Sequence, residues 1–406
     1  MGMRILLGGI PLGCDNVGDE AIIACTVGCF REMFPDAALA VSTARPEATA
    51  AQLQVEGMPL FGFDGEKSFR EFTAALRDFD LFAWAGATGL SDYPAVAVRL
   101  LLRAQRAGVR TVVWNVGMNE QLNPAFYQAR GRRLALLQAA SRLTGGHFDA
   151  VGAYEDLLSR RIEAKLARAL RGCDAVVVRD RPSHEQLCRI GYDGATVGAD
   201  SAICLRSAGE ERLPAVVGEW QSQAIIGVCI SSQQPPADPV ALSSAFDRIL
   251  AADNHRRLLF MPMNPVTDLA WMRTFSAGMR LREKTRLLEN CPEPEVIQAV
   301  AGRCRLVISS RLHLLVLAAN AHTPFLGISR GSKVDNFLAE FGQRPVGCVE
   351  DCDQEQLTAA AEAALQAPRE DFRQLSQVVH NRLEQRLREA AAAVQKAVAA
   401  TAKGMG

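Results

Sequence analysis

Arg311 and His313 stand two residues apart where the apolar run "LVISS" gives way to "RLHLLVLAANA". Arginine offers a fixed charge and two parallel donors to a carboxylate or phosphate, and histidine can move a proton near neutral pH. A single histidine at a helix start is often just a satisfied structural residue. Pairing it with Arg311 at the only wet end of an otherwise apolar helix favours a site, with Ser310 and Leu312 as its immediate frame.

Three other junctions carry related chemistry. "VVVRDRPSHEQ" sets Arg179 and Arg181 around Asp180 at a strand end, before Pro182 opens a helix. This is an anion clamp, unless Arg179 only pairs with Asp180 and Asp180 only caps the helix. "ISRGSKVDNF" brings Arg330, Ser332 and Lys333 to another strand end, where Lys333 either enters a shared cleft or snorkels from a solvated face. "GCDNVGDEAII" puts Asn16, Gly18, Asp19 and Glu20 where the first strand becomes the first helix, a position suited to an anion or polar ligand. The plainer account of that stretch is a cap by Asp15 or Asp19, with Glu20 favourable in the first turn.

The elements that must position these residues alternate between apolar runs and helical stretches. "RILLGGI", "ALAVST", "DLFAWAG", "RTVVWNVG", "CDAVVVRD" and "GATVGAD" form a first series of strands, and "AIIGVCIS", "HRRLLFMPM", "CRLVISS" and "TPFLGIS" a second. Continuous rather than alternating apolar runs are typical of parallel strands covered on both faces. The expected fold class is α/β, two Rossmann-like domains facing across a cleft, because such sheets bind ligands outside the carboxyl ends of their strands. The expected boundaries are an N-terminal domain over 1–205, a linker over 206–222, a second domain over 223–345 and a helical segment over 346–406. That last segment is read as a long closing helix packing back across both domains, frayed after Ala399.

Composition narrows the functional classes. The 406-residue chain carries 45 Lys plus Arg and 45 Asp plus Glu, so no long-range field draws it to nucleic acid, and any bound anion must be held by local charges. No apolar run approaches the roughly 18 residues of a membrane span, and "MGMRILLGGI" reads as a strand rather than a signal peptide. A cytoplasmic protein is expected, with peripheral membrane contact and homo-oligomerisation left open. The 11 cysteines include no CxxC pair, and no group has metal-ligand spacing, so reduced thiols and no metal or cofactor are expected.

In order and wording these segments resemble the polysaccharide pyruvyl transferase family. The resemblance runs over about residues 4–343 and rests on "NVGDEAII", "AGATGLSD", "VVVRDRPSHEQLCRIG", "GADSAI", "SSRLHLLVLAANAHTPFLGIS" and "SKVDNF". It implies a glycosyltransferase-B-like fold and transfer of the enolpyruvyl-derived group of phosphoenolpyruvate to a sugar, giving a pyruvate ketal and phosphate. The acceptor could be a nucleotide-linked or lipid-linked saccharide. Arg179, Arg311, Leu312 and His313 carry over as the donor site, with Ser310, Ser332 and Lys333 beside them, and His313 as the proton shuttle. Asn16, Gly18, Asp19 and Glu20 carry over to the facing, acceptor lip, with Asp19 or Glu20 orienting or deprotonating the acceptor. Two other readings fit the same architecture: a nucleotide-sugar transferase or epimerase, and a non-catalytic binding protein.

Overall fold

The computed structural model describes residues 2–145, 147–290 and 293–403. Twelve strands are present among them: β1 (Arg4–Gly8), β2 (Ala38–Thr43), β3 (Glu56–Pro59), β4 (Leu81–Ala85), β5 (Arg110–Val116), β6 (Ala175–Val178), β7 (Thr196–Val197), β8 (Ala224–Cys229), β9 (Arg256–Phe260), β10 (Thr285–Leu287), β11 (Leu306–Ser309) and β12 (Phe325–Gly327). They build two wholly parallel sheets, in the orders β3-β2-β1-β4-β5-β6-β7 and β10-β9-β8-β11-β12. The ten strands anticipated from apolar runs are all there. The two unanticipated ones, β3 and β10, lie at sheet edges, where one side of the strand needs no ladder partner and a continuous apolar run is not required.

The chain divides into two compact units. Unit 1 holds residues 1–11, 29–198 and 389–406, and unit 2 holds 12–28 and 199–388. In unit 1 the seven-stranded sheet is sandwiched by helices over a core that includes Phe72, Phe82, Trp84, Leu101, Val113 and Leu170, all fully buried. In unit 2, Phe246, Leu258, Phe260, Ile308, Leu315 and Phe325 fill the same role, each at most 1% exposed. Helix Leu312–Asn320 is covered all round, with Leu314 to Ala318 fully buried, as its apolar sequence demands.

These divisions differ from a single break at 206–222. That segment belongs to unit 2 and is tied down there: Val217 and Trp220 are buried, Ala208 N–H bonds the Glu295 carbonyl at 3.0 Å, and Arg212 pairs with Glu293. The charge, Gly and Pro that suggest a linker serve a short packed connection instead. The C-terminal segment is two helices, Gln354–Gln366 and Arg369–Lys403. Within unit 2, Ser376 Oγ donates to the Ala319 carbonyl at 2.8 Å, and within unit 1, Gln395 donates to that of Met33 at 2.6 Å. The expected fraying after Ala399 meets continued helix to Lys403, and beyond that it lies outside the described residues.

Candidate functional site

In the five-stranded sheet the strand order reverses between β8 and β11, so the loops leaving these two strands diverge and open a crevice at their carboxyl ends. Ser310 stitches the two exits together: its N–H bonds the Cys229 carbonyl at 2.9 Å, and its Oγ accepts from Ser231 N–H at 3.0 Å. At 1% exposed, Ser310 is a brace for the crevice. Leu312, 8% exposed, begins the buried helix with its side chain in the core.

Arg311 occupies the N-cap position of this helix with an extended backbone, and its side chain is engaged elsewhere. Its Nε and Nη2 donate to the two carboxylate oxygens of Asp268 at 3.1 and 2.6 Å, a bidentate pair. Nη2 also donates to Thr267 Oγ1, and Nη1 to Gln233 Oε1 at 3.2 Å. Asp268 is fully buried and saturated, accepting in addition from Asn264 N–H and Thr267 Oγ1 at 3.0 Å each. It sits in a π-helical turn, Pro265–Leu269, at the start of what the sequence presents as one continuous helix.

A second guanidinium joins from the loop after β12. Arg330 Nη1 donates to Ser231 Oγ and, at 3.3 Å, to the Gln233 Oε1 that Arg311 also holds. Two cations thus share one amide oxygen at the β8 exit, an arrangement that places positive charge where an anion would enter. Ser332 and Lys333 follow as the first residues of helix Ser332–Glu340, both half-buried.

His313 is 16% exposed, with Nε2 3.5 Å from Asp200 Oδ2. Asp200 caps the short turn Ser201–Cys204 through its other oxygen, which accepts from Ala202 N–H at 3.0 Å. The opposite edge of the imidazole faces Gly18. A Cβ on Gly18 would fall 2.1 Å from His313 Nδ1, 2.5 Å from its Cγ and 2.9 Å from its Cβ, so only glycine lets the ring lie there. The start of that helix is fixed within unit 2 by Val17 N–H bonding the Met263 carbonyl at 2.9 Å.

The opening stretch is therefore placed differently from the expectation of a facing lip. Residues 12–28 belong to the same unit as His313, and the glycine is a seat for the imidazole. Asn16 caps helix Val17–Met33, accepting from Gly18 N–H at 3.2 Å and donating to Asp19 Oδ2 at 2.7 Å. Glu20 Oε1 accepts from Gly13 N–H at 2.9 Å, which braces a turn holding positive φ at Gly13 and, less usually, at Asp15. A capping bond to this helix thus comes from Asn16, which the plainer account did not name.

Arg179 lies in unit 1. Its side chain is 6% exposed and its Nε donates to Asp180 Oδ2 at 3.1 Å. Asp180 Oδ1 accepts from Ser183 N–H at 2.7 Å and so caps helix Arg181–Arg189, with Pro182 in its first turn. The ion pair and the helix cap of the plainer readings are both present. Gly117 makes room for the guanidinium, since a Cβ there would lie 2.5 Å from Arg179 Cζ. Arg181 is 86% exposed and pairs with Glu185 one turn on.

The thiols nearest this chemistry are held protonated. Burial pushes Cys229 well above the usual thiol range, with the Asp268 charge adding and Arg311 opposing. Burial likewise raises Cys25, helped by Cys204 and Asp200. Asp200, Asp268 and Gln233 are the site residues that sequence reasoning missed. Only Asp200 left a signal, as part of "GADSAI".

The polysaccharide pyruvyl transferase family model matches residues 16–332 of the chain. Among solved structures, a putative UDP-N-acetylglucosamine 2-epimerase from Listeria monocytogenes superposes with a TM-score of 0.62 at 11% identity, covering 93% of this chain and 91% of that one. HepE from Anabaena, in complex with UDP-glucose, gives 0.60 at 11% identity and covers 99% and 100%. A UDP-glucose:anthocyanidin 3-O-glucosyltransferase in complex with UDP gives 0.54 at 11%, covering 98% and 99%. At these identities the likeness is one of fold, the glycosyltransferase-B arrangement of parallel α/β sheets. None of the curated proteins matches the chain in sequence.

Proposed function

The chain belongs to the polysaccharide pyruvyl transferase family, and from that membership we propose that it transfers the enolpyruvyl-derived group of phosphoenolpyruvate to a saccharide. The observation that carries the reading is the convergence of Arg311 and Arg330 on Gln233 Oε1, with Arg311 two residues from His313 at the same strand-to-helix junction. Phosphoenolpyruvate has two anionic ends, and a chain without net charge can hold them only by such local guanidinium groups. Ser310 and Leu312 set the frame. Ser332 and Lys333 extend the cationic edge, and Arg179 is a further anion ligand that the family resemblance implies.

In the proposed reaction His313 gives its proton to the enol methylene, leaving an oxocarbenium-like carbon that one acceptor hydroxyl attacks. His313 recovers a proton from that hydroxyl. A second hydroxyl of the same sugar then displaces phosphate and closes the ketal, its proton leaving with inorganic phosphate. Asp200 orients the imidazole from one side, and Gly18 allows it to approach from the other. Asp19, next to the seat and held by Asn16, is the carboxylate offered to the acceptor hydroxyls, with Glu20 fixing the turn beneath it.

The test is phosphate release and mass gain with phosphoenolpyruvate and a panel of nucleotide-linked and lipid-linked saccharides. Formation of a ketal supports the reading. Calorimetric binding of UDP-sugars with no binding of phosphoenolpyruvate would instead select the nucleotide-sugar chemistry named for the structural neighbours. Binding of phosphoenolpyruvate without phosphate release from any acceptor would select a binding protein.

A further inference from the structure

Helix Gly131–Leu143 in unit 1 has no buried residue. Its half-buried side chains, Leu134, Leu137 and Ser141, lie on one face, where it packs on helix Ala150–Arg171. Ser141 Oγ there accepts from Ala150 N–H at 2.9 Å. The opposite face is what an ordinary surface helix would make polar, and here two leucines and an alanine stand on it. Arg132, Leu136, Ala139 and Leu143 recur at the spacing of one helical stripe and are all exposed, with Leu136 73% and Leu143 89% open to solvent.

Phe148, just beyond the helix end, is also exposed, at 55%. Three of the eight large exposed hydrophobics among the described residues thus fall between 136 and 148. Scattered apolar side chains need no explanation, but a cluster of this kind marks an interaction surface. The helix itself carries Arg132, Arg133 and Arg142 and no carboxylate, and Asp149 beside Phe148 is engaged as the cap of helix Ala150–Arg171, accepting from Val151 and Gly152 N–H. An apolar stripe rimmed by arginines on an exposed helix is the composition that lies in a bilayer interface, with apolar side chains among the acyl chains and cations at anionic headgroups.

We propose that the outer face of helix Gly131–Leu143, with Phe148, docks on an anionic lipid surface. A second copy fits less well, because a two-fold contact would set this patch against itself and bring Arg132 and Arg142 up to like charges. Nucleic acid would use the arginines and leave the leucines in water. The inference stands independently of the reaction proposed above, since none of these residues enters it.

The experiment is co-sedimentation of the full chain with phosphatidylcholine vesicles made with and without phosphatidylglycerol. The parent is expected to sediment with the anionic vesicles only, and less as salt rises. The Leu136→Ser/Leu143→Ser variant changes only exposed side chains and should keep the parent's melting temperature while losing about tenfold or more in vesicle affinity. Arg132→Glu/Arg142→Glu should abolish the preference for anionic lipid. Failure of the parent to bind anionic vesicles overturns the proposal. So does a parent dimer in sedimentation velocity that the serine variant converts to monomer while vesicle binding is unchanged, which would make the face a contact between copies.

Discussion

Gly18 and His313, far apart in the sequence, meet so closely that a Cβ on the first would lie 2.1 Å from Nδ1 of the second. Glycine costs about 1 kcal/mol against alanine in a helix interior, and Gly18 stands in the first turn, so this position gives up at most that much helix stability for proximity. What is gained is a ring fixed between a helix turn and the carboxylate of Asp200. The motif "NVGDE" is thus a cap whose second turn residue is missing a side chain for the sake of a histidine.

Gly18→Ala is accordingly expected to damage the reaction despite its better helix propensity. The contact involves His313 Cβ at 2.9 Å as well as the ring, so a rotamer change cannot relieve it. Overpacking of this kind costs about 1–3 kcal/mol, and the displaced imidazole should lower kcat by about tenfold or more. Melting temperature and kcat measured together on Gly18→Ala and Gly18→Ala/His313→Ala decide the matter: the double variant should recover stability but not turnover. A Gly18→Ala protein with parental kcat would refute the seat.

Asp200 does two jobs that substitutions can separate. Asparagine keeps an oxygen for the Ala202 N–H and so preserves the cap, while removing the charge that faces His313. Asp200→Asn should melt within a degree or two of the parent yet lose about 10²-fold in kcat, with KM for phosphoenolpyruvate little changed. Asp200→Ala should lose the cap as well, about 0.5–2 kcal/mol. Equal kcat in the parent and Asp200→Asn would leave Asp200 as a cap alone.

The residues legible in the sequence were those whose position follows from local pattern. A buried strand running into an apolar helix announces its junction, which is why Arg311, His313, Arg179 and Arg330 could be found, along with every strand inside a sheet. Asp268 and Gln233 reach Arg311 through side-chain contacts across 43 and 78 residues, and nothing in "NPVTDL" separates a buried partner from an ordinary helix start. Gly18 was legible as a glycine that permits close approach, but the sequence could not say to what. The break in the chain was misplaced for a related reason: composition marks charge and proline, whereas unit membership depends on packing that Val217 and Trp220 reveal only in the fold.

Acid stability should depend on Glu362. Arg256 donates to it through Nη1 and, at 2.8 Å, through Nη2, and the Arg256 hydrogen bond holds the Glu362 carboxyl below the usual range. A carboxyl with a depressed folded-state pKa contributes stability that is complete above its unfolded value, about 4.3, and is lost as pH falls through the folded value. Because Glu362 is 26% exposed, solvent screening limits the pair to about 1 kcal/mol. Glu362→Gln should therefore melt below the parent at pH 7, with the two curves converging as pH falls below about 4. A constant gap between the curves down to acid would show that the carboxylate charge contributes nothing.

Arg311→Ala, the obvious probe of the donor site, is expected to report on folding before it reports on binding. Asp268 is fully buried, and Arg311 is the cation that offsets its charge. Removing one partner of a buried pair costs about 3–5 kcal/mol, a large share of the roughly 5–15 kcal/mol that holds a domain folded. Replacing both partners by apolar residues of similar size is often neutral, which separates the two roles. Arg311→Met/Asp268→Leu should recover most of the urea midpoint lost in Arg311→Ala and still fail to bind phosphoenolpyruvate in calorimetry. Arg311→Lys keeps the charge but not the fork, so it should fold and bind the donor about tenfold or more weakly. An Arg311→Ala protein as stable as the parent would show that the Asp268 pair does not hold this turn. A Met/Leu variant that binds phosphoenolpyruvate like the parent would remove Arg311 from the donor site, leaving Arg330 and the helix start to account for any anion held there.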